Sequence, residues 1–128
     1  MTRKSAAQMV QEARGRVEHL SAEQVEREMG EGALVVDIRE PGELAQTGMI
    51  PGAVSIPRGM LEFMADPDSP SHNAELDPDR RVILHCAAGG RSALAADTLK
   101  QMGFTNVAHL DGGMTAWQDA GKPVDRKE

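Results

Sequence analysis

The segment Cys86-Ala87-Ala88-Gly89-Gly90-Arg91-Ser92 holds the only thiol in the chain, with an arginine after a C-x4-R spacing. Val82–His85, read as a buried strand, precedes it, and Arg91–Ala96 follows with high helix propensity. Cys86 therefore stands where a strand ends and a loop enters a helix. The first N–H groups of a helix lack intrahelical partners and carry the positive end of its dipole. Arg91 adds a full charge, and all of this favours the thiolate, the nucleophilic form of cysteine. Gly89 and Gly90 let the loop take positive φ and turn successive N–H groups inward, forming an anion cradle around the sulfur. The expected role of Cys86 is that of a nucleophile. The competing reading of the local pattern is a small buried core residue beside an ordinary turn.

A single cysteine excludes an intramolecular disulfide and a Cys-rich zinc centre. The histidines, His19, His72, His85 and His109, show no metal-ligand spacing, so neither metal nor cofactor is expected. His85 is next to Cys86, but adjacent strand residues point to opposite faces, which argues against a dyad. Asp37 closes a strand. It is expected to cap a turn or to pair with Arg91 or Arg39, a supporting role rather than direct chemistry. Arg39 is read as a salt-bridge partner, with anion contact as the alternative. Arg58 could reach the mouth of the site or stand in solvent. Ser92 either donates toward the sulfur or caps the helix. Trp117 reads as a core anchor.

The remaining elements must place these groups. Lys4–Arg14 reads as a short helix and Val17–Leu20 as a short strand. Ser21 and Gln24 fit a capping box opening a helix to about Met29, stopped by Gly30 and Gly32. Ala33–Ile38 is a compact apolar run suited to a strand buried on both faces. Short helices are expected over Glu40–Gln46, Met60–Met64 and Met114–Ala120, a longer one from Arg91 to about Met102, and a further strand over Val107–Leu110. Three prolines mark Asp66–Asp79 as a loop. Strands alternating with helices imply an α/β fold with a largely parallel sheet, whose ligands bind at the C-terminal ends of strands. The expected division is an N-terminal helical leader, residues 1–16, and one domain, residues 17–128.

The 128 residues suit a single core, and the net charge of −6 argues against nucleic acid as a partner. Six acids and no Lys or Arg fall between Glu62 and Asp79, which reads as a solvated loop. Apolar runs are too short to span a bilayer, and the N-terminus has no apolar signal region, so the expected compartment is the cytoplasm.

The Cys86–Ser92 segment resembles the C-x-x-G-x-R-S active loop of rhodanese-type sulfurtransferases. Three further segments match in the family's order: Asp37-Ile38-Arg39 with Glu43, Gly48-Met49-Ile50-Pro51-Gly52-Ala53, and Leu110-Asp111-Gly112-Gly113 with Trp117. Met49 departs from the family's usual histidine, and a packing or surface effect is expected there. The resemblance implies a single α/β rhodanese-like domain with a central, mostly parallel five-stranded sheet flanked by helices on both faces. It also implies transfer of a sulfane sulfur from thiosulfate or a similar donor to cyanide or a thiol through a Cys86 persulfide. The amides of Ala87, Ala88, Gly89, Gly90, Arg91 and Ser92 would cradle the sulfur and the leaving anion. The C-x4-R ring is one residue shorter than the C-x5-R ring of phosphate-handling relatives, which favours sulfur over phosphate or arsenate. The alternative within sulfur chemistry is a relay module serving a protein sulfur acceptor.

Overall fold

The computed structural model describes residues 3–126. The outermost two residues of each expected segment, 1–2 and 127–128, lie outside the described residues. The elements run α1 (Ala6–Arg14), β1 (Glu18–Leu20), α2 (Ala22–Gly30), β2 (Leu34–Asp37), α3 (Pro41–Thr47), β3 (Val54–Ser55), a 3-10 turn (Arg58–Met60), α4 (Leu61–Ala65), β4 (Val82–His85), α5 (Gly90–Gln101), β5 (Val107–Leu110) and α6 (Gly113–Asp119). All strand pairs are parallel, in the order β1-β5-β4-β2-β3. The fold is the α/β rhodanese architecture, and the sheet is parallel throughout.

Alternation along the strands builds two apolar layers. Leu34, Val36, Val82, Leu84 and Val107 face one side, where they meet Ala95, Ala96 and Leu99 of α5 and Leu61 and Ala65 of α4. Val35, Ile83, Ala108 and Leu110 face the other, against Val25 of α2 and Met114 and Trp117 of α6. Burying both faces explains why β2, β4 and β5 are apolar at nearly every position. Trp117 is buried, and its indole N–H donates to the Pro123 carbonyl at 2.7 Å, as an anchor should.

Helix starts follow local chemistry. Ser5 and Ser21 each accept from the backbone N–H three residues on, and Gln8 and Gln24 return the bond to the cap's own N–H. Gly30 lies inside α2 rather than stopping it, and the chain reverses at Gly32 with φ +101°. The helical turn expected from Met60 begins as a 3-10 turn at Arg58. The acid-rich stretch is less solvated than its charge suggests. Leu76 is fully buried, and Glu62 pairs with Arg58 at 2.8 Å.

Helix α1 lies along α5. Ala13 is fully buried, Arg16 makes two bonds to Asp97 at 2.9 and 2.7 Å, and Lys100 donates to the Arg16 carbonyl. Arg14 reaches past the end of β5 to Asp111 at 3.0 Å.

Candidate active site

Cys86 follows β4 directly, and the sheet delivers it to the face covered by α5. The residue is only 1% exposed. The loop folds back so that the Gly89 N–H donates to the Cys86 Sγ at 3.1 Å. Gly89 is the N-cap of α5, in a left-handed conformation with φ +112° that a side chain would strain. The backbone N–H groups of Ala88, Gly90, Arg91 and Ser92 have no acceptor among the described residues. Gly89 thus makes the one loop-amide bond to sulfur, and these four N–H groups remain free for a bound group.

A second pair of glycines holds the loop from below. Met114 N–H donates to the Cys86 carbonyl at 2.8 Å and Thr115 N–H to the Ala87 carbonyl at 3.1 Å. This close approach of α6 needs Gly113, where a Cβ would lie 2.3 Å from the Cys86 carbonyl oxygen. The Leu110–Gly113 segment therefore serves the cysteine loop, although it is remote in sequence.

Arg91 takes Glu43 on α3 in a two-pronged pair at 2.9 and 2.8 Å, and its guanidinium also interacts with the Cys86 sulfur. Glu43 also accepts the Glu40 N–H at 2.9 Å. The Arg91 guanidinium, followed by that N–H, holds the Glu43 carboxyl down at about 2, and Glu43 holds the Arg91 charge in place. Glu43 thereby ties the start of α3 to the start of α5.

Asp37 and Arg39 pair with each other rather than with Arg91. Asp37 caps the turn by accepting the Arg39 N–H at 3.0 Å, and it takes the guanidinium at 2.8 Å. Arg39 is 2% exposed and also donates to the Thr47 hydroxyl and the Gly48 carbonyl, so it serves as a buried salt-bridge partner that ties the end of β2 to the end of α3. The pair lies in register with His85, on the sheet face opposite Cys86. His85 Nδ1 contacts the Cys86 carbonyl, not the sulfur, and burial keeps the imidazole neutral. Arg58 belongs to the α4–α5 surface through Glu62 and Thr98. Met49 lines a hollow of about 600 Å³ with Pro41, Leu44 and Ile50, away from the cysteine loop.

Sequence spacing missed one cluster. Ser92 Oγ lies 3.6 Å from the Cys86 Sγ and 2.9 Å from His109 Nδ1. His109 Nε2 then lies 2.8 Å from His19 Nδ1. His19, His109 and Asp111 bring potential metal-ligand atoms within 4.8 Å of one another. The two imidazoles are already bonded to each other and Asp111 to Arg14, whose charge opposes a cation, so the arrangement is a hydrogen-bonded set. The only sequence signal was His109 on a buried strand, where a polar group needs a partner.

Among the described residues, no helix is long and apolar enough to cross a membrane. Residues 21–120 match the family model described as a rhodanese-like domain. A sulfurtransferase of Allochromatium vinosum is 39% identical over 94 residues, covering 73% of this chain and 79% of its own. A Rhodopseudomonas palustris structure, described as a protein of unknown function and possible tyrosine phosphatase, aligns with a TM-score of 0.91 and 40% identity, covering 98% of this chain and 97% of that one. A thiosulfate sulfurtransferase of Pseudomonas aeruginosa aligns with a TM-score of 0.77 and 30% identity, over 96% of this chain and 23% of its own. With its parallel sheet, its glycine-braced cysteine loop and a family match over most of its length, the chain belongs to the rhodanese-like sulfurtransferase family.

Proposed function

We propose that the protein moves a sulfane sulfur through a persulfide on Cys86, taking it from thiosulfate or a similar donor and passing it to cyanide, a small thiol or a protein thiol. The observation that carries this reading is the Gly89 N–H donated to Cys86 Sγ at the N-terminus of α5. A donor positioned there stabilises negative charge on sulfur before and after transfer.

The steps balance without a cofactor. The Cys86 thiolate attacks the outer sulfur of thiosulfate, the donor's S–S bond breaks, and sulfite leaves with its electron pair. The new terminal sulfur carries the negative charge among the amides of Ala87 through Ser92. An acceptor nucleophile then attacks that sulfur and the Cys86 thiolate leaves, completing a double displacement. With one cysteine in the chain, the acceptor must come from outside. A lone thiol suits a reducing compartment, and we assign the cytoplasm.

Phosphatase chemistry is less well served. The loop is C-x4-R, and it contains no acid. The nearest carboxyl tied to it, Glu43, stays ionised down to about pH 2 and has no proton to give a leaving group at neutral pH.

Intact mass after thiosulfate incubation tests the proposal. The wild type should gain one sulfur, about 32 Da, lost on cyanide treatment and absent in Cys86→Ser. No adduct from thiosulfate, polysulfide or an organic persulfide would overturn it.

A further inference from the structure

We infer that the sulfur donor this site favours is a persulfide on an uncharged organic carrier, and that the thiosulfate dianion suits it poorly. This rests on sulfur transfer through Cys86 and names the donor class for it. The ground is the distribution of charge around the cysteine loop.

The reacting set holds one cation. Arg91 interacts with the Cys86 sulfur and is gripped by Glu43 at 2.9 and 2.8 Å. With Cys86 as the thiolate, two anions share that guanidinium, so the set is negative before a donor arrives. Other cations at this end of the sheet are matched too. Arg39, just past β2, pairs with Asp37, and Arg14 pairs with Asp111, just past β5. Arg58, whose N–H donates to the Ile38 carbonyl beyond β2, pairs with Glu62. From Ala87 to Gly90 the loop carries no charged side chain. The whole chain stands at −6, which repels anions at longer range.

The surface around the loop is hydrocarbon. Ala88 is exposed and Ala87 half-buried. From α1, a Val10 methyl lies 3.8 Å from the place where a Cβ on Gly90 would stand. Such a rim suits an uncharged carrier.

The two donors bring different charges to the same sulfur. The thiolate and thiosulfate together carry three negative charges, which repel one another most where water is partly excluded. The thiolate and a neutral persulfide R–S–S–H carry one. In that step the Cys86 thiolate attacks the outer sulfur and the donor's S–S bond breaks. The carrier leaves as its thiolate with the electron pair, and the proton stays on the transferred sulfur. Total charge is one negative before and after. The free N–H groups of Ala88, Gly90, Arg91 and Ser92 can offset a single charge of this kind. They supply no full positive charge for a sulfonate.

The second-order rate of sulfur loading onto Cys86, read by intact mass, tests the inference at several salt concentrations. The donors are thiosulfate and the persulfide of 2-mercaptoethanol. Thiosulfate in excess still loads the wild type, but at low salt its rate constant should be at least about tenfold below that of the persulfide. Like charges are screened by salt, so added salt should speed thiosulfate loading and change persulfide loading much less. Ala88→Lys places a cation beside the loop. At low salt it should raise the ratio of the thiosulfate rate to the persulfide rate by about tenfold, a gain that fades with salt. Glu43→Gln, which keeps a hydrogen-bonding partner for Arg91 but removes the opposing charge, should raise the same ratio. Because each result is a ratio, a general loss of activity in either variant cancels. Thiosulfate loading that matches the persulfide rate, or that slows with salt, would overturn the donor preference alone. An unchanged ratio in both variants would do the same. No adduct from either donor would remove transfer through Cys86 itself, and the preference with it.

Discussion

At the scale of single residues, polar groups in the interior set how the molecule responds to acid. His109 is buried on β5, and its imidazole titrates at about 4 instead of the ordinary 6.5. An unfolded chain takes up that proton near 6.5, while the folded chain refuses it until about 4. Between these values the unfolded state binds more protons, so stability is full above 6.5, falls as the pH drops toward 4, and is flat in this respect below it. The effect is about 2–3 kcal/mol at most. Urea unfolding across this range should show the wild-type midpoint falling with acid, and a shallower fall in His109→Asn. The role of Cys86 was legible because its setting is local, a strand end followed by Gly89, Gly90 and a helix former. The partners of Arg91 and His109 were not legible. Glu43 lies 48 positions from Arg91 and His19 lies 90 from His109, distances that only the strand order resolves.

Among the elements, the decisive contact is the start of α6 against the Cys86 loop. The carbonyls of Cys86 and Ala87 accept from Met114 and Thr115, which fixes the loop backbone from beneath. Gly113→Ala would force a Cβ to within 2.3 Å of the Cys86 carbonyl at φ +55°. The expected outcome is a protein destabilised by about 1–3 kcal/mol and deficient in sulfur uptake beyond that loss of stability. Denaturant midpoints read beside the rate of sulfur-adduct formation check it. Gly103→Ala is the control, since its φ is also positive but nothing lies near its Cβ. The helix starts at Ser5 and Ser21 were readable from hydroxyl-to-Gln spacing, and β2, β4 and β5 from their unbroken apolar runs. The Arg58 3-10 turn and the burial of Leu76 were not, because tertiary packing overrides weak local preference there.

Across the whole molecule, α1 is part of the structure that holds the active helix. It lies on α5 through Ala13, the Arg16–Asp97 pair and the Lys100 bond to the Arg16 carbonyl. Removing residues 1–16 should lower stability by about 2 kcal/mol or more, read as a lower urea midpoint. An unchanged midpoint would mean that the contact with α5 contributes nothing. Composition had marked this segment as helical but not its docking face, because the apolar surface it covers belongs to a helix some eighty residues later.

The strand order has a consequence for how the protein is made. β1 lies at the sheet edge and pairs only with β5, so Leu20 meets its neighbour Leu110 at the far end of the chain. On the ribosome, β2, β3 and β4 can join as soon as residue 85 or so has emerged, while the strand bearing His19 must wait for most of the remaining sequence. During that interval the growing polypeptide carries an unpaired strand and two imidazoles that have not yet met. Translation pauses placed before β5 would lengthen the interval in which chaperones are needed.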